Sequence, residues 1–355
     1  MAKVLMKGNE AIAEAALRAG CQAFFGYPIT PQSEIPEYLA RELPARGGVF
    51  LQAESELAAI NMVMGAAASG ARVMTSTSGP GFCLKLETIA TMALSRLPAV
   101  IVLVMRSGPG FGTMKAAQED YEMIGNGGYK AVKLAPAGHQ EAVNMIFEAF
   151  DIADQYRNPV IVMLDGLIGQ VMEPLDFDLL PEARKNLPPK DWALHGTNAK
   201  QGRHDLVYLP EGMSHYQVKH WFETELYPSM IANECRVECL DLAEAQMVLC
   251  AYGTAARLAR AVKDELEGQE GCPRLGIIRP QTLWPFPYRA FEQIGPDCRA
   301  VVCPELNIMG QMIRDAQIGA AGRWPVSHVG DGPDDFLTAE DIRAHVLKVW
   351  QEVKQ

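Results

Sequence analysis

The chain carries the stretch AVIVLVM at residues Ala99–Met105, its longest unbroken run of apolar residues. The run is too short to cross a membrane as a helix, which takes about 20 residues. An apolar run without polar alternation is typical of a strand that is buried on both faces of a parallel sheet. Four shorter runs predict further strands of the same kind: Val49–Leu51, Arg72–Thr75, Val132–Leu134 and Pro159–Leu164.

Segments of helical character separate these strands. The clearest is His139–Tyr156, where apolar residues recur at three- and four-residue steps before Asn158-Pro159 ends the helix. Gly8–Arg18 and Glu56–Gly70 are predicted as further helices, both rich in alanine. Strands that alternate with helices predict an α/β fold, in which helices cover both faces of a parallel sheet.

The alternation breaks between residues 173 and 244, where proline, glycine and polar residues are dense. We interpret 173–244 as a linker that packs on its neighbours, because it is too long for a connection within one compact domain. It contains one predicted helix, Ser214–Glu225. The flanking regions predict a first domain over 1–172 and a smaller α/β domain over 245–355. The second domain has predicted strands at Met247–Tyr252, Leu275–Ile278, Ala300–Cys303 and Pro325–Val329, and predicted helices at Gly253–Leu266, Met309–Gly319 and Ala339–Val353.

Composition narrows the class of protein. The 355 residues include 32 Lys and Arg against 43 Asp and Glu, for a formal net charge of −11, and 48% are hydrophobic. A chain this apolar can bury a large core, which excludes disorder, and its acidity disfavours bulk binding to nucleic acid. The first residues lack the apolar stretch of a signal peptide. We therefore expect a cytoplasmic protein with neither nucleic-acid nor membrane partners.

The eight cysteines and seven histidines form no metal-binding motif. No cysteine pair has the spacing Cys-x2-Cys, and the nearest pair, Cys235 and Cys239, lacks a second pair to complete four ligands. We expect no iron–sulfur cluster or zinc ion in this chain. Phosphate-loop, nucleophile-elbow, zinc-protease and dinucleotide-binding motifs are absent as well. Gly330-Asp331-Gly332 would open a magnesium–diphosphate motif, but no Asn follows it, so a simple turn is favoured.

Four loops are candidates for a ligand site at strand ends, the edge where an open parallel sheet places its ligands. In the first, Gly26–Glu34, prolines on both sides of Thr30 fix its backbone, although a rigid connection to the next helix explains this pattern more simply. The second, Gln52–Glu56, leads into a helix of small residues that lets another surface come close. Its acidic residues are also common in a first helical turn, because they complement the helix dipole.

The other two loops are richer in glycine. Thr75–Phe82 joins hydroxyl groups and glycines, which suits polar contacts with a ligand. In Met105–Gly112, Arg106 follows the end of the most apolar strand of the chain. A guanidinium at that place clamps a carboxylate with two hydrogen bonds, or else caps the sheet in an ion pair, and the sequence leaves both interpretations open.

Taken together, these loops resemble the α subunit of the 2-oxoacid:ferredoxin oxidoreductases. The motifs that carry the resemblance span nearly the whole chain apart from residues 180–235: Lys7–Ala11, Gly26–Pro31, Glu54–Glu56, Thr77–Phe82, Arg106–Gly110, Tyr156–Val160 with Asp165-Gly166, Arg279–Pro287, and Pro304–Asn307 with Met309–Gln311. Within the family, Gly108–Gly112 with Gln118–Tyr121 and Gly127-Gly128 is most similar to the branched-chain type, which acts on 2-oxoisovalerate.

The resemblance implies a fold, cofactors and partners. The first domain would be a pyrimidine-binding domain of the thiamine diphosphate type, and the second would be similar to the C-terminal domain of transketolase. A separate β subunit would share the thiamine diphosphate and supply the diphosphate and Mg²⁺ site. Small ferredoxin-like and γ-type subunits would carry the [4Fe-4S] clusters, with ferredoxin as electron acceptor and coenzyme A as co-substrate.

The family's chemistry also implies roles for single residues. A partly buried carboxylate contacts the aminopyrimidine ring so that the ring can take the C2 proton of the thiazolium. Glu56, nine residues before Gly65, fits this role, and Glu54 is the alternative. Arg106 would hold the substrate carboxylate, while Thr30 would hydrogen-bond that carboxylate or the developing oxyanion. Further cofactor contacts are expected at Tyr27, Pro28, Ile29, Ser78, Gly79 and Phe82. No metal ligand is expected.

Departures from the family pattern leave the choice of substrate open. Gln32, Ser107 and Phe111 differ from the usual residues and bear on side-chain specificity more than on the reaction. 2-Oxoglutarate and pyruvate are the alternative substrates, and a second substrate charge would need a second cation. Lys115 is the only other cation in the loop that follows Arg106. A non-catalytic assembly subunit is the alternative of a different class.

Overall fold

The computed structural model describes residues 3–108, 112–123, 128–194, 212–330 and 336–354. In chain order, strands β1 to β14 are Val4–Lys7, Ala23–Gly26, Val49–Gln52, Val73–Thr77, Ala99–Met105, Val132–Leu134, Pro159–Asp165, Met172–Leu175, Val237–Leu240, Met247–Cys250, Leu275–Pro280, Thr282–Trp284, Ala300–Glu305 and Val326–Gly330. Helices α1 to α12 are Gly8–Arg18, Glu34–Ala45, Glu56–Ala68, Gly79–Cys83, Leu86–Leu94, His139–Tyr156, Gly166–Gln170, His215–Trp221, Tyr227–Glu234, Gly253–Leu266, Ile313–Ala320 and Ala339–Val353. Short 3-10 turns lie at Phe177–Leu179 and Tyr288–Gln293, and a π-helical turn lies at Phe222–Leu226.

A seven-stranded sheet in the order β12-β6-β7-β5-β4-β2-β3 forms the larger layer. Its neighbouring strands are parallel, except that β12 is antiparallel to β6. The predicted strand β5 lies at its centre and is buried along its whole length. Val100 and Val102 face a core with α1, α2 and α6, whereas Ile101 and Leu103 face a core with α3 and α5. The predicted α/β fold, with a parallel sheet covered on both faces, is confirmed.

A five-stranded sheet in the order β14-β13-β10-β11-β9 forms the second layer, and only β9 is antiparallel. On one face, Met247 and Leu249 of β10 pack in a core with α10 and α12. On the other face, Val248 and Cys250 join the core that also contains α3 and α5. One hydrophobic layer is therefore shared by the two sheets.

Described parts of the segment 173–244 enter sheets. Strand β8 pairs with β1 in a separate two-stranded sheet, and β9 forms the edge of the five-stranded sheet. Strand β12, which lies in the C-terminal half of the sequence, pairs with β6 of the larger sheet. The helix predicted at Ser214–Glu225 continues through the π-helical turn to Glu234. The domain limits 1–172, 173–244 and 245–355 stay a prediction.

Two predicted helices have different ends for local reasons. The helix predicted at Glu56–Gly70 ends at Ala68, and Gly70 follows with φ +85°, a left-handed conformation that terminates helices. The helix predicted at Met309–Gly319 begins only at Ile313. Its first N–H groups are taken by the Glu305 carboxylate, which accepts hydrogen bonds of 2.9 to 3.0 Å from residues 311, 312 and 313.

Candidate active site

The four loops singled out from the sequence lie along one edge of the seven-stranded sheet. They follow β2, β3, β4 and β5, which are parallel and adjacent in the order β5-β4-β2-β3. Because parallel strands end at the same edge, loops that are distant in sequence meet there. Arg106 contacts Thr30, and Gly81 contacts Glu56, so the loops also touch one another.

Glu56 is the first residue of α3 and is buried, with 7% of its surface exposed. The preceding Ser55 caps the helix, since its hydroxyl accepts a 3.1 Å hydrogen bond from the Ala58 N–H. The helix packs Glu56 against the turn after β4, where a Cβ on Gly81 would lie 2.5 Å from Glu56 Oε1. Glu54, the alternative, is exposed. Of the two carboxylates, Glu56, which the resemblance favoured, is therefore the one that lies buried beside the loops.

The loop after β4 presents buried hydroxyls beside Glu56. Thr77 Oγ1 and Ser78 Oγ have no hydrogen-bond partner within the described residues. A Cβ on Gly81 would lie 2.4 Å from Thr77 Oγ1, so Thr77 and Glu56 border the same glycine. Phe82 is fully buried in the core below. A buried hydroxyl without a partner costs free energy, which makes this loop suited to a polar ligand. Sequence reasoning expected Ser78 here and missed Thr77.

Arg106 extends from the end of β5 to the first loop. Its Nη1 donates a 2.8 Å hydrogen bond to the backbone carbonyl of Thr30, and its Nε is buried without a partner among the described residues. Gly79 leaves the necessary room, since a Cβ there would lie 3.0 Å from Nε. The carboxylate of Asp120 accepts the backbone N–H of Arg106 and not its guanidinium. This arrangement favours a guanidinium that holds a ligand over one that caps the sheet in an ion pair.

Asp120 is a site residue that sequence reasoning missed. Its Oδ2 accepts hydrogen bonds of 3.2 Å from the backbone N–H groups of Gly79 and Arg106, so it ties two loops together. Burial raises the pKa of Asp120 from 3.8 to about 6, although both hydrogen bonds act in the opposite direction. Its place in the motif Gln118–Tyr121 was the only signal, and that motif does not reveal which loops the carboxylate joins.

Gln32, one of the departures from the family pattern, connects the first loop to strand β4. The side chain is buried and accepts a hydrogen bond from the Ser76 hydroxyl on β4. Its Nε2 donates a 3.4 Å hydrogen bond to the Tyr27 carbonyl. Residues Tyr27–Thr30, which include the expected contacts Pro28 and Ile29, are exposed or, at Ile29, half-buried. Gln32 therefore fixes a loop whose outer residues face away from the core.

A cavity of about 500 Å³ opens beside Thr30. Its apolar wall includes Met114, Leu167 and Phe336, of which Met114 is 67% and Phe336 44% exposed. Lys115 also lines the cavity, and its ammonium lies 4.6 Å from the ring centroid of Phe336. The cavity therefore offers an apolar wall and one cation next to the residue expected to bind substrate.

Other family-like motifs connect the two sheets and do not line the site. Asp165, at the end of β7, accepts hydrogen bonds of 2.8 and 2.7 Å from the N–H and hydroxyl of Thr254 on α10. Gln118 donates a 3.0 Å hydrogen bond to the carbonyl that precedes α10, and Arg279 of β11 pairs with Glu141 of α6 at 2.9 Å. Several residues named in the sequence analysis lie outside the described residues: Pro109–Phe111, Gly127, Asp331 and Gly332.

Within the described ranges, no group of three or more His, Cys, Asp or Glu side chains is arranged to hold a metal ion. All eight cysteines are described and none is in a disulfide. None of the described helices is both long and apolar enough to span a bilayer.

Comparisons with known proteins agree with this architecture. A family model described as pyruvate flavodoxin/ferredoxin oxidoreductase, thiamine diP-binding, matches residues 14–203. A second model, pyruvate:ferredoxin oxidoreductase core domain II, matches residues 245–342. The chain belongs to the 2-oxoacid:ferredoxin oxidoreductase family. The family consists of enzymes, and the predicted family membership is confirmed.

Two relatives match nearly the whole chain and are named for different 2-oxo acids. Ketoisovalerate oxidoreductase subunit VorB of Methanothermobacter thermautotrophicus is 41% identical over 98% of both chains. 2-Oxoglutarate synthase subunit KorA of the same organism is 32% identical over 97% of this chain and 98% of its own. Both relatives are named as subunits, so each is part of a larger complex.

Two solved structures share the fold. One is 2-oxoglutarate:ferredoxin oxidoreductase from Magnetococcus marinus with 2-oxoglutarate, coenzyme A and succinyl-CoA bound; it has a TM-score of 0.84 and 25% identity. That match covers 99% of this chain and 65% of the neighbour, so this chain spans about two thirds of the neighbour's length. A split-gene transketolase, an inactive β4 tetramer, has a TM-score of 0.61 at 15% identity and shares the fold alone. The predicted thiamine diphosphate-type fold is confirmed.

Proposed function

We propose that this chain is the α subunit of a 2-oxoacid:ferredoxin oxidoreductase that acts on a branched-chain 2-oxo acid, with 2-oxoisovalerate favoured. The product would be the acyl-coenzyme A, with electrons passed to ferredoxin. The single observation that carries the catalytic assignment is the buried Glu56 carboxylate next to unpartnered hydroxyls at the carboxyl edge of the sheet. The substrate assignment rests on relatives, since the ketoisovalerate subunits are 40 to 41% identical and the 2-oxoglutarate subunits KorA are 31 to 34% identical.

The residues at this edge fit the aminopyrimidine half of thiamine diphosphate. Glu56 would accept a hydrogen bond from a ring nitrogen, and Thr77 and Ser78 carry buried hydroxyls that lack other partners among the described residues. When bound, the cofactor supplies the nucleophilic carbon that takes up the 2-oxo group and the means to hold the electrons released by decarboxylation. Burial of Glu56 keeps water from competing for its hydrogen bonds, so its negative charge acts strongly on the ring.

Two side chains would position the substrate. Arg106 has a buried Nε without a partner in the described part of the chain, and it would bind the substrate carboxylate. Thr30 lies beside it through the Nη1–carbonyl contact, and its hydroxyl would hydrogen-bond the carboxylate or the oxyanion that forms at the 2-oxo group. The aliphatic group of a branched-chain substrate fits the apolar wall formed by Met114, Leu167 and Phe336.

2-Oxoglutarate is a second candidate substrate, and Lys115 is the observation in its favour. This ammonium lines the cavity beside Thr30, where it would meet a second carboxylate. Binding of 2-oxoglutarate would therefore need the Lys115 ammonium, whereas binding of 2-oxoisovalerate would not.

A substrate comparison tests the proposal. The chain is assembled with its partner subunits, and ferredoxin reduction is measured with 2-oxoisovalerate, 2-oxoglutarate and pyruvate for the wild type and Lys115→Met. We expect the highest kcat/KM with 2-oxoisovalerate and little change in the variant, because that substrate has one charge. A preference for 2-oxoglutarate that Lys115→Met removes would establish the second candidate. Similar rates on all three substrates would defeat the branched-chain assignment.

The partners are also part of the proposal. A β subunit would supply the diphosphate and Mg²⁺ site, and ferredoxin-like and γ-type subunits would carry the [4Fe-4S] clusters. Ferredoxin would be the acceptor and coenzyme A the co-substrate. The cytoplasmic location is proposed on the same resemblance.

A further inference from the structure

Gln311 belongs to the family-like motif Met309-Gly310-Gln311, to which the proposed function assigns no role. It lies in the second layer, shortly before α11, and is half-buried. Its Nε2 donates a 2.8 Å hydrogen bond to the Glu119 carbonyl, and its Oε1 accepts a 2.9 Å hydrogen bond from the Glu122 N–H. Both ends of one amide therefore hold the backbone of a single turn, residues 119–122, whose polar groups need partners.

The turn at 119–122 in turn holds the loop that follows β5. The Glu119 carboxylate accepts hydrogen bonds of 2.6 Å from the Gly108 N–H and 3.2 Å from the Ser107 hydroxyl. The Asp120 carboxylate accepts a 3.2 Å hydrogen bond from the Arg106 N–H. Three successive residues of the loop that carries Arg106 are thus tied to two carboxylates of one turn.

The second layer makes further contacts with this turn. The Tyr121 hydroxyl donates a 2.6 Å hydrogen bond to Asp315 of α11. Gln118, just before the turn, forms hydrogen bonds of 2.7 and 3.0 Å with the backbone of Leu306, which follows β13. The position of the turn, and through it that of the loop at Arg106, therefore depends on the end of β13 and the start of α11.

Arg106 is a residue for which such positioning matters. A guanidinium binds a carboxylate with two parallel hydrogen bonds, which demands a defined place and orientation of its planar fork. Its Nη1 already bonds the Thr30 carbonyl at 2.8 Å, so a shift at the backbone end would turn the fork away from the substrate. A misplacement of about 1 Å at a positioning group can lower a rate by as much as 10²-fold.

We propose that Gln311 is a positioning residue for substrate binding: its amide fixes the turn at 119–122 and so holds Arg106 where it binds the substrate carboxylate. This role rests on the proposed function of Arg106. It also gives the second layer a task in substrate binding. If Gln311 only stabilised the packing of the two layers, its loss would lower the stability of the chain, and its effect on activity would not depend on Arg106.

A double-mutant cycle in the assembled complex tests this role. Gln311→Ala removes both hydrogen bonds, and Arg106→Lys removes the planar fork. We expect Gln311→Ala to lower kcat/KM for 2-oxoisovalerate about tenfold, mainly by raising KM, because the contact with the carboxylate forms when the substrate binds. In the Arg106→Lys background the same change should lower kcat/KM by less than about threefold, because no fork is left to misplace.

The other outcomes of the cycle are equally clear. Equal losses in the two backgrounds would overturn the proposal, because Gln311 would then act independently of Arg106. A wild-type kcat/KM in Gln311→Ala would overturn it as well. A wild-type kcat/KM in Arg106→Lys alone would instead refute the proposed function of Arg106, and the role of Gln311 with it.

Gln317→Ala is the matched control, since Gln317 is an exposed glutamine on α11. It should leave kcat/KM and Tm as in the wild type. A second variant, Gln311→Glu, keeps the size of the side chain and an acceptor for the Glu122 N–H but loses the donor to the Glu119 carbonyl. We expect it to assemble and to raise KM at least as much as Gln311→Ala, and a wild-type KM would contradict the proposal. Failure of both Gln311 variants to assemble would assign Gln311 to folding and would also overturn the proposal.

Discussion

Glu54 and Glu56 differ by two positions in sequence but have opposite environments in the folded chain. Glu54 is exposed before the helix begins, whereas Glu56 starts α3 and points into the turn after β4. Sequence reasoning favoured Glu56 over Glu54 by resemblance alone, because burial at a helix N-terminus depends on what packs there. The same limit explains why Asp120 and Thr77 were missed, since their surroundings come from other loops.

Arg106 gives a direct prediction at the level of one side chain. Arg106→Lys keeps the charge but loses the planar fork that binds a carboxylate with two hydrogen bonds. We expect kcat/KM to fall roughly 10- to 100-fold, which corresponds to the loss of about 1.5–3 kcal/mol for a hydrogen bond to a charged group. Steady-state ferredoxin reduction measures the effect, with Arg41→Lys, at an exposed ion pair on α2, as control. Equal loss in both variants would speak against a substrate contact.

Asp120 gives a prediction about pH and stability. Its pKa is raised from 3.8 to about 6 in the folded chain, so the folded state binds a proton more tightly than the unfolded state. The stability that this group contributes is therefore present below about pH 4 and is lost as the pH rises to about 6. Asp120→Asn removes the titration and keeps the shape. The Tm of the variant minus that of the wild type should grow between pH 4 and 7, and a constant difference would contradict the assigned burial.

At the level of elements, helices with local signals were predictable and short pairing strands were not. Helices α1, α6, α10 and α12 have the predicted bounds. Each of these segments itself contains the apolar periodicity and the terminal residues that define a helix. Strands β1, β2, β8, β9 and β12 have only three or four residues each and were missed. β1 pairs with β8, and β12 pairs with β6, across long separations in the chain. Their existence depends on tertiary pairing that no local pattern records.

The contact between α3 and the turn after β4 gives a prediction at this scale. In Gly81→Ala the new Cβ would lie 2.4 Å from Thr77 Oγ1 and 2.5 Å from Glu56 Oε1, so one of them must move. We expect a loss of about 1–3 kcal/mol in the free energy of unfolding, typical of overpacking, together with loss of activity. Gly65→Ala is the control on α3, where nothing lies within 4 Å. It should raise stability by roughly 0.5–1 kcal/mol, as expected within a helix. Urea unfolding compares the two, and similar destabilisation in both would refute the close contact.

At the scale of the molecule, the two sheets act as one support for the site. They share a hydrophobic layer, and Asp165 with Thr254 joins the end of β7 to the start of α10. The alternation of strands and helices predicted the class of fold and the edge that carries the loops. How strands such as β9 and β12 are shared between the sheets could not be predicted, because that depends on the docking of whole layers. The site that results holds a carboxylate, an arginine and hydroxyls, and under the proposed function the remaining cofactor contacts would come from partner subunits.

The most direct test of this account is the activity of Glu56→Gln in the fully assembled complex, measured as ferredoxin reduction beside Glu54→Gln as a matched control. Glutamine keeps the shape of the side chain but cannot carry the charge that acts on the aminopyrimidine ring. We predict that Glu56→Gln assembles and binds ferredoxin normally but loses activity by about 10²- to 10⁴-fold, the usual contribution of a proton-transfer group, while Glu54→Gln stays near the wild-type rate. Full activity in Glu56→Gln would contradict the catalytic assignment and would leave this chain as an assembly subunit.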